Sequence, residues 1–290
     1  MSATPKAPPE VRTVVLATHT HPEQTTAAVE AAIAAAERAG RTLVAEAGER
    51  GKHGLSDRLA PAEELDRPPD LCLVLGGDGS ILQALRRWSG TGVPIFGINF
   101  GTIGFLAATE PADLEAGLDR AFSGEFDVMS MPGLELGLPV DRPVGLNDVS
   151  FVRRPHGRVA ELSYSLGGEE LGHVRCDGLV AATPAGSTGY NLANSGPVLA
   201  WGVAGYVVSF IAPHTLTARA LVAAPPDTLR VSNARGREPV DIALDGDPVA
   251  HLESGAEVEI HFREDVAALA QLPGSNFYHR MRDKFGRLAK

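Results

Sequence analysis

Apolar residues in the first 120 positions fall into short unbroken runs, separated by longer segments with helical spacing. Residues 11–17 (VRTVVLA) form a β-branched run that predicts a strand. Residues 23–40 (EQTTAAVEAAIAAAERAG) are dominated by alanine and predict a helix that Gly40 stops. Residues 43–46 predict a second strand, and residues 48–70 mix Gly, Pro and charge as an irregular connection does. Residues 71–75 (LCLVL) are uniformly apolar, as in a strand covered on both faces. A helix-like ILQALRRW and a further strand at 93–99 (VPIFGIN) follow. Alternation of this kind predicts a parallel, doubly wound sheet.

Near residue 120 the helical period fades. Short segments at 149–153, 161–166, 179–182, 205–210, 241–244 and 257–262 are separated by Gly, Pro and Asn, the pattern of a β-rich domain. The segment 276–288 (NFYHRMRDKFGRL) reads as helical and basic. The expected fold is an α/β N-terminal domain with a doubly wound parallel sheet, plus a β-rich C-terminal domain. The expected borders are a disordered tail at 1–10, the α/β domain at 11–120 and the β-rich domain at 121–265. A C-terminal segment at 266–290 is expected to pack back on the N-terminal domain. No repeat of fixed period and no long low-complexity linker occurs.

The 290 residues suffice for about two domains with substantial cores. Twenty-six Lys and Arg against 36 Asp and Glu give a net charge of −10, which argues against a general nucleic-acid binder. Small anionic ligands remain compatible, because the field inside a cleft can oppose the net charge. The two cysteines, Cys72 and Cys176, form no CxxC pair, which excludes a disulfide scaffold and a cysteine zinc knuckle. A reduced, cytoplasmic setting is expected. The start, MSATPKAPPE, lacks the apolar core of a signal peptide. No Asp, Glu, Lys or Arg occurs from Gly178 to Ala218, yet TPAGSTGYNLANSGP interrupts this stretch. A buried polar loop between core strands fits it better than a bilayer span.

Three motifs carry candidate chemistry. Gly76-Gly77-Asp78-Gly79-Ser80 lies between a predicted strand and a predicted helix. Glycines let main-chain amides approach a ligand, successive N–H groups make an anion cradle, and the helix adds the positive end of its dipole. The alternative is a tight turn with Asp78 capping the helix. No lysine follows, so this is not a P-loop. The second motif, GINFGTIGFL, has the spacing Asn99-x-Gly101-x-x-Gly104, with Asn in place of the first glycine of a dinucleotide fingerprint. It reads equally as a plain strand-to-helix turn. The third, Thr183-Pro184-Ala185-Gly186-Ser187-Thr188-Gly189-Tyr190, concentrates hydroxyls and glycines in the uncharged stretch. A polar ligand would satisfy those groups and Tyr190 could stack on a base; a self-satisfied loop is the alternative.

GGDGS, GINFGTIGFL, Asn147-Asp148, DGLVAATPAGSTGY and PHTLTAR in this order resemble the NAD kinase family over about residues 70–250. GGDG alone is shared with diacylglycerol and sphingosine kinases and with 6-phosphofructokinases; TPxGSTxY separates this family from them. The resemblance implies ATP-dependent phosphorylation of the 2′-hydroxyl of the adenosine ribose of NAD(H), giving NADP(H), with Mg²⁺ accompanying ATP. Asp78 is implied as base or orienting group. Gly76, Gly77, Gly79 and Ser80 are implied to cradle phosphate, with Asn99 on the ATP side. Asn147, Asp148, Asp177, Thr188, Gly189, Tyr190 and Asp245 are implied on the NAD side. No resident metal ligand, nucleic acid or membrane is implied; a homodimer or homotetramer is.

The sequence departs from the family pattern on the NAD side. Asp148 stands where the family has Glu, TPTGSTAY becomes TPAGSTGY, and Ala-Gly-Gly-Pro becomes Asn194-Ser195-Gly196-Pro197. A lipid kinase and a non-catalytic NAD(H)-binding paralogue are the alternatives. Arg175 and Arg219 are candidate sources of positive charge. His19, His21, His214, Cys72, Arg86 and Arg87 read as structural or solvated.

Overall fold

The computed structural model describes residues 8–55, 57–141 and 143–286. The described residues divide into two compact units, one running from residue 8 to 130 and from 267 to 286, the other from 131 to 266. Residues 1–7 of the expected tail, and 287–288 of the expected C-terminal helix, lie outside the described residues.

In the first unit, β1 (Thr13–Thr18) leads into α1 (Thr26–Ala39), which buries Ala28, Val29, Ala32, Ile33, Ala35 and Ala36. Gly40 ends α1 at φ 63°, its amide donating to the Ala36 and Glu37 carbonyls. β2 (Thr42–Ala45) and a short helix α2 (Ala47–His53) follow. Sequence periodicity misses α2 because it buries no residue and contains two glycines. Polar contacts hold it instead: Thr18 donates its amide (3.2 Å) and its hydroxyl (2.6 Å) to the Glu49 carboxylate.

β3 (Ala60–Pro61), β4 (Leu71–Gly76), α3 (Asp78–Arg87) and β5 (Pro94–Asn99) complete the α/β pattern. The strands pair in parallel in the order β5-β4-β1-β2-β3. The chain moves outward from β1 in both directions, so the carboxyl ends of β1 and β4 flank a topological switch point, where open α/β sheets take their ligands. α4 (Leu114–Ser123) adds Leu118, Ala121 and Phe122 to the first core, and Phe126 packs edge-on against Phe96 at 5.9 Å. An expected border at residue 120 would cut through α4; burial carries the unit on to residue 130.

β6 (Asp127–Leu136) passes into the second unit, which is built of antiparallel pairs. The unit holds β7 (Val144–Gly145), β8 (Asp148–Arg153), β9 (Ala160–Leu166), β10 (Glu169–Cys176), β11 (Gly178–Ala182), α5 (Tyr190–Ala193) and β12 (Tyr206–Ile211). β13 (Leu221–Ala223), β14 (Leu229–Ser232), β15 (Val240–Leu244) and β16 (Asp247–Leu252) follow. One sheet runs β13-β12-β11-β8-β15-β16; in the other, β9 and β14 lie between β10 and the first part of β17 (Glu257–Gln271). Alternate residues such as Val149, Phe151, Leu179, Ala181, Val208 and Ile242 share a core with Leu162, Leu229, Val231 and Ile260.

The uncharged stretch supplies β11 and β12, with Thr183, Ser187 and Asn191 fully buried between them. No helix among the described residues is long and apolar enough to cross a membrane. β17 continues into the first unit, where Ala268 and Leu269 pair in parallel with β5, and α6 (Phe277–Phe285) follows.

Truncating a fully buried side chain of central β4, Leu73→Ala, is expected to cost about 2–5 kcal/mol. Val222→Ala, at a 55% exposed position on edge strand β13, is expected to stay within about 0.5 kcal/mol. Urea unfolding of the two variants checks the contrast.

Candidate functional site

The first unit gathers the first two motifs at the carboxyl ends of β4 and β5. Gly76 ends β4, Gly77 is the N-cap of α3, and Asp78 occupies its first turn. The two glycine loops meet backbone to backbone. A Cβ on Gly101 would lie 2.7 Å from the Gly77 Cα, and one on Gly77 would lie 3.0 Å from the Gly101 Cα. The Phe100 amide donates to the Gly76 carbonyl at 3.1 Å. A side chain at either glycine would force the loops apart.

The half-buried Asp78 carboxylate locks this junction. Its Oδ2 accepts the Phe105 amide and its Oδ1 the Leu106 amide, both at 2.8 Å. Asn99 is buried; its Nδ2 donates to Glu110 at 2.8 Å and its Oδ1 accepts the Gly101 amide at 3.0 Å. Gly104, at φ 69°, packs so closely that a Cβ would meet the Asn99 Nδ2 at 2.2 Å. Asn99 therefore fastens the second loop to its own strand. Around Gly79 there is open space. The result is a glycine-lined turn at a helix N-terminus, with main-chain amides and one carboxylate held in place.

The second unit builds a different polar turn. Asp245 and Gly246 join β15 to β16 with φ values of 51° and 86°, as a mirror-image two-residue hairpin turn requires. This conformation aims the Asp245 carboxylate at the start of β8. Its Oδ2 accepts the Leu146 amide at 3.0 Å; its Oδ1 accepts the amides of Asn147 at 2.6 Å and Asp148 at 3.0 Å. Asp148 is buried beside it. Desolvation, followed by the Asp245 charge, pushes the Asp148 carboxyl up to about 7.

The third motif closes onto the same turn. The Thr183 amide donates to the Asn147 carbonyl at 2.9 Å, and its hydroxyl to the Leu146 carbonyl at 2.6 Å. Gly186 passes so close that a Cβ would lie 2.0 Å from the Asn147 oxygen. Ser187 Oγ donates to Pro184 and accepts the Leu199 amide, and Asn191 Nδ2 donates to the Ser187 and Pro197 carbonyls. The motif is thus largely satisfied from within. What it turns outward is Tyr190, whose phenol is pushed up by burial and by the charges of Asp148 and Asp177. Thr188 sits half-buried on the turn before it, and nothing packed around Gly189 demands a glycine. Asp177 pairs with Arg153 at 2.6 Å.

The sequence pattern did not single out Glu110, Asn191 or Arg153. Glu110 and Arg153 look like ordinary surface charges, and only the fold brings them to Asn99 and Asp177. Arg175, a candidate charge source, pairs with Glu161 at 3.4 Å, and Arg219 donates to the Leu216 and Ala218 carbonyls.

Comparison with known proteins converges on one family. Residues 15–126 match the family model of the ATP-NAD kinase N-terminal domain, and residues 146–270 that of the ATP-NAD kinase C-terminal domain. The NAD kinase of Rhodopirellula baltica is 36% identical over 226 residues, covering 76% of this chain and 73% of that protein. The NAD kinase of Symbiobacterium thermophilum is 34% identical over 253 residues, covering 86% and 89%. Among solved structures, yeast NADH kinase complexed with NADH superposes with a TM-score of 0.82 at 21% identity, covering 97% of this chain and 91% of that one. An Archaeoglobus fulgidus NAD kinase in complex with ATP gives 0.69 at 22%, covering 95% and 97%. These two share the fold. With both domain models matched in chain order, and relatives one-third identical over most of both lengths, this chain belongs to the NAD kinase family.

Proposed function

We propose that the protein is an ATP-dependent NAD kinase that transfers the γ-phosphoryl of ATP to the 2′-hydroxyl of the adenosine ribose of NAD(H). The observation that carries this reading is Asp78, half-exposed on the first turn of α3 between two interlocked glycine loops at the switch point of a parallel sheet. Amides of the Gly76–Ser80 turn and the α3 dipole favour a phosphate chain there. Asn99 serves this side by holding the second loop in place.

Transfer forms a bond from the ribose oxygen to the γ-phosphorus and breaks the bond from that phosphorus to the ADP oxygen. The hydroxyl proton leaves to Asp78. Catalysis of this kind is mostly alignment and charge stabilisation. Each Asp78 oxygen accepts one amide, so lone pairs remain to orient a hydroxyl. Mg²⁺ belongs to the substrate, as Mg·ATP.

On the NAD side, Asn147 and Asp148 hold the adenosine ribose and Tyr190 supplies an aromatic face. Asp245 acts through the 146–148 amides that it fixes. Thr188 and Gly189 line the same turn, and Asp177 meets the nicotinamide end of the ligand. The reduced thiols of the buried Cys72 and Cys176 suit a cytoplasmic enzyme. A homodimer or homotetramer remains part of the proposal.

Incubation with Mg·ATP and NAD, with product read by an NADP-specific dehydrogenase, should yield NADP. Asp78→Asn is expected to lower kcat roughly 10²–10³-fold with the KM for NAD changed little. Absence of NADP from the wild-type protein, or near-normal turnover by the variant, would remove the reading.

Asp148 gives a second test with its sign fixed by linkage. Its folded value of about 7 lies above the unfolded value near 3.9. The protonated form is therefore favoured in the fold, and stability is lost as pH rises from about 4 to about 7. Asp148→Asn removes that loss: the variant should be more stable above pH 8, by at most ~4 kcal/mol, and unchanged below pH 4. If the ionised carboxylate accepts the ribose hydroxyls, the wild-type KM for NAD should fall as pH rises through about 7. In Asp148→Asn, the KM should be raised about tenfold and be flat with pH.

A further inference from the structure

The carboxylate of Asp78 does not hold the 105–107 loop alone. The opposite side of the same peptide run is taken by the C-terminal part of the chain. Arg280, on α6, donates through Nη1 to the Phe105 carbonyl at 3.0 Å and to the Ala107 carbonyl. Gln271, the last residue of β17, donates through Nε2 to the intervening Leu106 carbonyl at 2.9 Å. Arg280 Nη2 in turn donates to Gln271 Oε1, and Ser275 Oγ accepts from both Nη2 (2.9 Å) and Nε (3.1 Å) of the same guanidinium. All three carbonyls of residues 105–107 thus have partners on the C-terminal segment, while the first two amides go to Asp78.

One of these links is direct. The Phe105 carbonyl and the Leu106 amide belong to a single planar peptide group. Arg280 binds its oxygen and Asp78 binds its N–H. A cation on the carbonyl polarises the peptide and strengthens its N–H as a donor. The guanidinium is a rigid fork that spans two carbonyls and a side-chain amide at once, which an ammonium cannot do. The loop is also anchored by its ring: Phe105 packs against Phe277 at 5.7 Å and Phe285 at 5.8 Å, both on α6. Lys284 of the same helix pairs with Glu110, which holds Asn99. Burial pushes the Arg280 guanidinium down while the charges of Asp78 and Glu110 oppose this, as expected of a cation committed to the interior.

We propose that Arg280 is a positioning residue for Asp78, setting the carboxylate's orientation through the Phe105–Leu106 peptide. The inference rests on the reading above that Asp78 faces the reacting hydroxyl. An Asp78 displaced by a fraction of an ångström would still bind both substrates, and would lose rate.

The test uses the full-length protein with Arg280→Met, Arg280→Lys and, as a control on the same helix, Arg282→Met. Steady-state kinetics give kcat and both KM values, and amide hydrogen exchange follows Phe105 and Leu106. Arg280→Met is expected to lower kcat roughly 10- to 100-fold. Its KM values for ATP and NAD should stay within about twofold, and exchange at Leu106 should quicken at least about tenfold. Arg280→Lys should recover little of either, and Arg282→Met should match the wild type. Unchanged kcat in Arg280→Met, or unchanged Leu106 exchange, would overturn the proposal. If Arg280→Met does not fold, Arg280→Lys decides: wild-type kcat and wild-type exchange together overturn the proposal, and loss of both upholds it. Should the wild-type protein make no NADP, the kinase reading fails by that result alone, while the exchange measurement still reports whether Arg280 holds the peptide.

Discussion

The contact of two glycine backbones, Gly77 against Gly101, is the constraint on which the first unit's chemistry depends. Neither position can carry a side chain without separating the loops, because the obstacle on each side is main chain. Once the backbones meet, the amides of Phe105 and Leu106 come within reach of a carboxylate on the first turn of α3, and Asp78 takes both. Asn99 and Glu110 fasten the other end of the loop. The sheet beneath contributes only its strand ends, Gly76 of β4 and Asn99 of β5. Its fully buried strands β4 and β5 supply two carboxyl ends at a fixed separation, and the loops inherit that precision.

The second unit solves a related problem by other means. Three consecutive amides at 146–148 would be unsatisfied donors at the start of an inner strand, and burying them without partners would cost several kcal/mol. Asp245 satisfies all three from a hairpin turn whose left-handed backbone only a few residue types tolerate. Burial, and after it the charge of Asp245, leave Asp148 a poor place to be charged, and its carboxyl moves up to about 7. The two carboxylates are separated in role by environment: one is spent on the backbone, the other is held near the point of titration.

Much of this was legible in the sequence, and the limits are physical. LCLVL and VPIFGIN carry strong local signals because their burial is nearly complete, and α1 does because alanine favours the helix and one of its faces is buried. The motifs could be found because glycine and asparagine at close-packed turns have few substitutes. What could not be read was which atoms each motif residue addresses. Asn99 looks like a displaced fingerprint glycine and proves to be a loop fastener; Asp245-Gly246 looks like a ligand element and is also a mirror-image turn. α2 escaped because polar bonds to Glu49, without an apolar stripe, hold it. Arg280 escaped most completely. In a basic helical tail it is indistinguishable from Arg282, and only its five hydrogen-bonded contacts to Phe105, Ala107, Gln271 and Ser275 set it apart.

A carboxylate on a glycine-lined turn at a helix N-terminus, on a chain of net charge −10, is the feature most in need of explanation. An unscreened Asp78 would repel the anion that the amides attract. The hydrogen bonds around it resolve the conflict. Two amide donors disperse its charge, and the peptide that supplies one of them carries a guanidinium on its far side. Arg280 is thus close enough to offset Asp78 and yet committed to carbonyls, so it does not compete for a phosphate as a free arginine would. Each oxygen of the carboxylate accepts one amide and so keeps a lone pair unspent. One planar peptide thus keeps the carboxylate and the guanidinium apart while coupling them, so that neither neutralises the other in a direct ion pair.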